Sequence, residues 1–167
     1  MKQITQLQPN QVFIFGSNST GFSGAGSAGL ACRGTSQNTW RTDPWFLAAK
    51  DSPVGSPMRI GKWAVYGVSR GFQVGREGMS YAIETIRRPG MKRSTPLAEI
   101  EQQFYELAAF ARSHPEWEFL MTPVGVGLAG YTVEDLRPIW ERVRVQNPAN
   151  IIAPDDLYGA SPAWTMT

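Results

Sequence analysis

Glycine residues that could hold a phosphate group cluster after the first apolar run of the chain. The apolar residues Val12–Phe15 lead into a first glycine loop, residues 16–26. Glycine leaves backbone N–H groups unshielded, and the start of the small-residue helix that follows adds partial positive charge. These features suit a phosphate ligand, although a glycine-rich strand-to-helix turn without a ligand has the same pattern. The glycines of this loop are Gly16, Gly21, Gly24 and Gly26.

A second glycine loop, residues 122–131, repeats this arrangement near the other end of the chain. It follows the apolar run Phe119–Met121 and precedes a helix opened by Thr132, with Asp135 in position for a capping box. Ligands of open α/β sheets bind at the carboxyl ends of parallel strands. Two such units of strand, loop and helix therefore predict one cleft with a backbone wall on each side.

Both loops contain a GxGxxG sequence, at Gly24–Gly29 and Gly125–Gly130. A dinucleotide-binding Rossmann fold requires this motif directly after its strand and an acidic residue about 20 positions later. Eight residues separate Phe15 from Gly24, and too little chain follows Asp155 to complete the fold from the second match. A Rossmann-like module is therefore the disfavoured alternative. The sequence contains neither a Walker A loop nor a GxSxG elbow.

Residues that commonly do acid, base or metal chemistry are few. Cys32 is the only cysteine and His114 the only histidine, which excludes an internal disulfide and disfavours a structural zinc site. We expect Cys32 to pack in the core and His114 to lie at a helix end near the surface. Glu77 or Glu84 could act on a bound substrate, although solvated or structural roles suit both better. No metal site and no cofactor are predicted.

Size and charge favour one soluble domain. The 167 residues are 42% hydrophobic, and 16 basic against 14 acidic residues leave a net charge of only +2. A nucleic-acid partner is therefore disfavoured, and the basic residues between 87 and 93 are predicted to form a solvated loop. No signal peptide and no apolar run of about 20 residues is present, so we expect no membrane association and a cytoplasmic location.

The order of apolar runs and helical patterns predicts an α/β domain that spans residues 1–167. Its expected fold is a three-layer α/β/α arrangement with a mixed central sheet. Besides the runs that precede the two loops, strands are predicted at 63–66, 80–86 and 151–152. Helices are predicted after Asp43 and Pro44, and from Pro96 with Thr95 as the cap.

A long polar excursion, residues 34–61, separates the first helix from the rest of the domain. Trp40, Trp45 and Phe46 stand out within it. Aromatic side chains in such a segment could cover a ligand, but they more often pin the segment to the body of the protein.

Three motifs of this chain occur together in a known group of proteins. They are F-G-S-N at Phe15–Asn18 with the spaced glycines that follow, S-Y-A-I-E-T at Ser80–Thr85, and G-V-G-L-A-G-Y at Gly125–Tyr131. Residues 11 to 157 resemble the macrodomain superfamily, and more closely a macrodomain-like group of phage-related and bacterial proteins.

This resemblance implies binding of ADP-ribose or a related nucleotide, with hydrolysis of an ADP-ribose ester or adduct as a further activity. It implies that Asn18 contacts the distal ribose, which makes Asn18 the one catalytic candidate, and that Phe22 or Tyr131 packs on a ribose or base. It also implies that both loops hold the diphosphate. The first loop would contribute Gly16, Ser17, Gly21, Gly24, Ala25 and Gly26. The second loop would contribute Gly125, Val126, Gly127, Leu128 and Ala129.

Binding is better supported than hydrolysis. The usual N-A-A-N segment is replaced by Ser17-Asn18-Ser19-Thr20, and the paired-glutamate motif of poly-ADP-ribose glycohydrolases does not occur in the sequence. A further alternative is a non-enzymatic interaction domain of a phage or mobile element, in which the glycine loops are structural. Its mark would be an exposed patch that contains Trp40, Trp45, Phe46 and Trp164.

Overall fold

Five strands form one mixed sheet whose centre is the first strand of the chain. The structure is a computed structural model that describes residues 4–22, 24–153 and 157–159. The strands are β1 Gln11–Asn18, β2 Gly71–Val74, β3 Met79–Ile86, β4 Glu118–Met121 and β5 Ile151–Ile152. The helices are α1 Gly26–Arg33, α2 Pro44–Lys50, α3 Leu97–Ser113 and α4 Val133–Arg144. Short 3-10 turns lie at Trp40–Thr42, Pro57–Arg59 and Leu157–Gly159.

The direction of the strands brings both glycine loops to one edge of the sheet. The spatial order is β2-β3-β1-β4-β5, and β1 runs parallel to β3 on one side and to β4 on the other. β5 continues the parallel arrangement beside β4, whereas β2 forms an antiparallel hairpin with β3. The carboxyl ends of β1, β3 and β4 therefore lie together, and the first and second glycine loops follow two of them.

Alternating side chains of β1 divide the core into two layers. Val12 and Ile14 pack in a cluster with α3 and α4, while Phe13 and Phe15 pack in a second cluster with α1 and α2. All four side chains are buried. Helices cover both faces of the sheet, which confirms the predicted three-layer α/β/α fold.

Helix starts follow local sequence rules at two of three predicted places. The Asp43 carboxylate accepts hydrogen bonds from the first turn of α2, and Thr132 and Asp135 form the predicted capping box of α4. The prediction that Thr95 caps α3 is wrong, because its side chain is turned into the core and Pro96 occupies the cap position. Among the described residues, no helix combines the length and hydrophobicity needed to span a bilayer.

The predicted strand at 63–66 is also wrong. The backbone N–H of Trp63 donates to Ala31 O at 2.7 Å, and that of Lys62 donates to Cys32 O at 3.0 Å. This segment therefore pairs its backbone with the end of α1 and is joined to the sheet by hydrogen bonds with the side chains of Gln73 and Ser80. Its one strand-like pairing is an isolated bridge between Ile60 and Val65. Its apolar pattern reflects burial, since the Trp63 side chain is only 1% exposed.

Candidate functional site

A cleft of about 600 Å³ opens at the carboxyl ends of β1, β3 and β4. Both glycine loops line it, as the sequence predicts. From the first loop and the end of β1 the lining residues are Gly16, Ser17, Asn18, Phe22, Gly24, Ala25 and Gly26. From the second loop they are Gly125, Val126, Gly127, Leu128 and Ala129. β1 continues to Asn18, so the first three of these residues belong to the strand and not to the loop.

Two predicted site residues do not line this cleft. Tyr131 is buried, and its hydroxyl donates a hydrogen bond to Thr95 O at 2.6 Å, so the expected packing of its ring on a ligand is not available. Gly21 has a φ of +72° and lies against the backbone of Gly67 and Val68. It turns the chain between the strand and the rest of the loop.

The N-terminus of α1 brings backbone donors to one wall of the cleft. Ala25 is the N-cap residue, and it supplies no side-chain cap. The N–H of Gly26 donates to Ser36 O at 3.0 Å, but the N–H groups of Ser27 and Ala28 have no acceptor among the described residues. Both residues line the cleft, where these N–H donors and the helix dipole favour an anion.

Asn18 organises the turn that leads into the first loop. Its Oδ1 accepts hydrogen bonds from the Thr20 hydroxyl at 2.7 Å and from the N–H groups of Thr20 and Gly21 at 3.1 Å each. This is the Asx arrangement that fixes a turn after a strand. Asn18 lines the cleft, so its position suits the predicted contact with a ribose. Its Oδ1 atom already accepts the hydrogen bonds that fix the turn.

The second loop is built from two consecutive backbone turns. Val126 N–H donates to Pro123 O at 3.3 Å, and Gly130 N–H donates to Gly127 O at 2.9 Å. Gly127 has a φ of +87° and faces open space, and the neighbouring Leu128 is 64% exposed. The two loops face each other closely, because a Cβ placed on Gly26 would lie 3.6 Å from the Leu128 Cδ1 atom.

The excursion supplies a third wall that sequence reasoning did not assign to the site. Asn38, Trp40 and Phe46 line the cleft, and the Trp40 and Phe46 ring centroids are 5.2 Å apart. The sequence feature that indicated this wall was the cluster of aromatic residues in a polar stretch. The remaining residues that sequence reasoning missed are Ser27, Ala28, Thr85, Ile86, Pro89, Pro123 and Val124.

The aromatic residues of the excursion pin it to the body of the protein and do not form an exposed patch. Phe46 is buried, and Trp40 and Trp45 are half-buried and pack against the same cluster. Trp164, the fourth member of the expected patch, lies outside the described residues.

The fully buried side chain of Arg33 connects the excursion to the first glycine loop. It pairs with Asp43 at 2.9 Å and donates hydrogen bonds to Gly24 O and Gln37 O. Burial alone would raise the pKa of Asp43, but hydrogen bonds from the Phe46 amide and the Arg33 guanidinium hold it below its usual value. The buried charge of Arg33 is thus compensated within the excursion.

No charged side chain lines the cleft among the residues that the structure describes. Neither Glu77 nor Glu84 is part of its wall. Cys32 is buried, as expected, and burial raises the pKa of its thiol to about 12. His114 lies at the end of α3, where its ring stacks on Trp117 with centroids 4.4 Å apart. The candidates for acid and base chemistry are therefore not at the cleft.

Comparison with models of known protein families gave no match, and comparison with curated protein sequences found no similar protein. The likeness to macrodomains thus depends on the sequence motifs alone.

Proposed function

We propose that this chain binds ADP-ribose or a related nucleotide in the cleft between its two glycine loops. The observation that carries the proposal is the pairing of the loops: they follow adjacent parallel strands and face each other across a cleft of about 600 Å³. Clefts of this size and position commonly hold small ligands in α/β folds. The macrodomain-like motifs support the same ligand class.

The chemistry of the walls suits a phosphate group. Because the described lining contains no lysine, arginine or histidine, negative charge has to be met by backbone N–H groups and by the dipole of α1. A hydrogen bond from such a donor to a charged oxygen contributes about 2 kcal/mol. Several small residues let the ligand approach the backbone closely, as a phosphate requires.

The apolar part of the cleft suits the nucleoside. Phe22, Trp40, Phe46 and Ile86 line it on the side of the first loop and the excursion. Aromatic and aliphatic walls of this kind exclude water from a base or ribose, while a few polar groups such as Asn18 and Asn38 fix its orientation.

We propose binding as the primary activity, because the described lining contains no side chain that titrates near neutral pH. Removal of ADP-ribose from an ester or adduct would have to use the ligand's own phosphate and a positioned water molecule. Asn18 would then orient the ribose. The buried lone thiol of Cys32 fits a reducing compartment, and we propose a cytoplasmic location.

Calorimetric titration with ADP-ribose, with NAD and ATP in parallel, tests the proposal. The informative pair of variants is Ser27→Asp and Ser27→Asn, because both lie in the first turn of α1 and differ in charge but hardly in shape. An acidic side chain there suits the helix dipole and preserves the fold. We expect Ser27→Asp to weaken ADP-ribose binding by about tenfold or more through repulsion of the phosphate, and Ser27→Asn to bind nearly as wild type.

Three results would contradict this proposal. Preference for NAD that Asp155→Ala weakens and Asn18→Ala spares would favour a dinucleotide module. Equal affinities of Ser27→Asp and Ser27→Asn would show that the phosphate does not lie at the start of α1. No heat from any nucleotide, in protein shown to be folded by circular dichroism, would favour an interaction domain with structural glycine loops.

A further inference from the structure

Arg33 is a fully buried cation, and one of its hydrogen bonds reaches the first glycine loop. It is the last residue of α1, and its guanidinium reaches back past the helix to the carbonyl of Gly24. Gln37 O accepts a second hydrogen bond at 2.8 Å, and Asp43 Oδ2 accepts a third from Nη1 at 2.9 Å. Burying a charge is costly unless it is paired. The ion pair with Asp43 leaves Nη2 available to the loop.

The hydrogen bond to Gly24 O determines where the next N–H group points. The described chain has no cis peptide bond, and in a trans peptide the C=O and N–H bonds point in opposite directions. The carbonyl of Gly24 is directed into the interior at Arg33, so the N–H of Ala25 is directed away from it. Ala25 lines the cleft, and its N–H has no acceptor among the described residues.

We propose that Arg33 is a positioning residue for the phosphate site, which acts by fixing and polarising the peptide between Gly24 and Ala25. A hydrogen bond to the carbonyl of a peptide makes its N–H a stronger donor, since linked hydrogen bonds polarise one another. Arg33 also places its charge behind the loop without exposing it to the ligand. This inference rests on the proposed function, because the ligand it serves is a phosphate in the cleft.

Asp43 provides a matched control for this role. Asp43→Asn removes the ion pair but keeps a good N-cap for α2 and leaves the hydrogen bond from Arg33 to Gly24 O in place. Arg33→Met removes both the ion pair with Asp43 and the hydrogen bond to Gly24 O. Arg33→Lys keeps the charge, but one ammonium group cannot replace the planar fork that reaches Gly24, Gln37 and Asp43 together.

The experiment compares the affinities of these variants for ADP-ribose and for adenosine, which lacks phosphate. We expect Arg33→Met and Arg33→Lys to bind ADP-ribose about tenfold more weakly while binding adenosine as wild type does. Asp43→Asn is expected to lower the melting temperature but to keep the ratio of the two affinities. In amide NMR spectra, ADP-ribose should shift the Ala25 proton downfield in wild type and less in Arg33→Lys.

Distinct results separate this inference from the proposed function. If wild type binds ADP-ribose and folded Arg33→Lys keeps both the affinity ratio and the Ala25 shift, Arg33 has no positioning role. If the Arg33 variants lose ADP-ribose and adenosine equally, Arg33 is a structural residue only. If folded wild type binds no phosphorylated nucleotide, the proposed function fails and the inference fails with it.

Discussion

The two glycine loops have the same GxGxxG spacing but are supported in different ways. The first is held by side chains that follow it in the chain: Arg33 binds the carbonyl of Gly24, and Trp40 lies against the same glycine. The second is built from the backbone turns that begin at Pro123 and Gly127. It also accepts hydrogen bonds from outside the loop, from the Arg93 N–H to Ala129 O at 2.7 Å and from the Tyr158 hydroxyl to Val124 O.

Two glycines at different positions of the motif, its first glycine in the first loop and its second glycine in the second loop, are required for different reasons. At Gly24 the requirement is space, because an added Cβ would lie 2.4 Å from the Trp40 Cγ atom. At Gly127 the requirement is conformation, because its φ of +87° is unfavourable for other residues although nothing lies nearby. The first loop should therefore depend on the excursion for its shape, whereas the second should not.

The largest contrast is expected between Gly24→Ala and Gly127→Ala. Gly24→Ala places a methyl group against the Cβ and Cγ atoms of Trp40, which a rotation of the ring does not move away. We expect a loss of about 3 kcal/mol in the free energy of unfolding. Gly127→Ala is expected to cost only about 1 kcal/mol, from the left-handed backbone. Urea denaturation measures both. Equal losses would mean that the two loops are supported alike.

A smaller difference between the two loops is expected in the stability of the protein at acid pH. Asp43 supports the first loop through Arg33, and Asp135 caps α4 behind the second loop. The Thr132 amide lowers the pKa of Asp135. Hydrogen bonds from the Phe46 amide and the Arg33 guanidinium lower the pKa of Asp43. A carboxyl with a lowered folded pKa stabilises the protein above its unfolded pKa of about 3.9 and loses this contribution as pH falls through the folded value.

Asp43→Asn should therefore flatten the loss of stability below about pH 4 more than Asp135→Asn does, because Asp43 is paired with a buried cation and Asp135 with a half-exposed one. Urea midpoints measured between about pH 5 and pH 2 test this difference. A larger effect of Asp135→Asn would reverse the comparison.

The smallest effect is expected at the contact between the loops. Leu128 is mostly exposed and lies near Gly26 across the cleft, so Leu128→Ala should change the free energy of unfolding by less than about 0.5 kcal/mol. Leu136→Ala, beneath the second loop at a fully buried position, should cost about 3 kcal/mol and serves as the control. A loss above about 1 kcal/mol for Leu128→Ala would show that the loops stabilise each other.

Features that depend on neighbours in sequence could be predicted. The Thr132 and Asp135 capping box, the Asp43 cap and the strands before both loops follow from residue type and spacing over a few positions. The three-layer fold follows from the order of these elements.

Features that depend on distant contacts could not be predicted. Tyr131 looked like a ligand-facing residue of a glycine loop, but the carbonyl of Thr95, far away in sequence, takes its hydroxyl into the core. The apolar run at 63–66 had the composition of a strand, yet the Trp63 N–H donates to the end of α1 and the Tyr66 N–H to Arg59 O. The aromatic residues of the polar excursion marked Trp40 as a candidate to cover a ligand, but only the folded structure shows that Trp40 and Asn38 form a wall of the cleft.

The excursion leaves and rejoins the body of the protein at one place. Its two ends are joined by the hydrogen bonds from Lys62 and Trp63 to the last residues of α1. An insert whose two ends are joined can change in length or composition without moving the sheet. Because Trp40 lies against Gly24 and Ser36 O accepts the Gly26 N–H at 3.0 Å, the first glycine loop takes part of its shape from the insert. The insert and the first loop can therefore be exchanged only as a pair, whereas the second loop does not depend on the exchange.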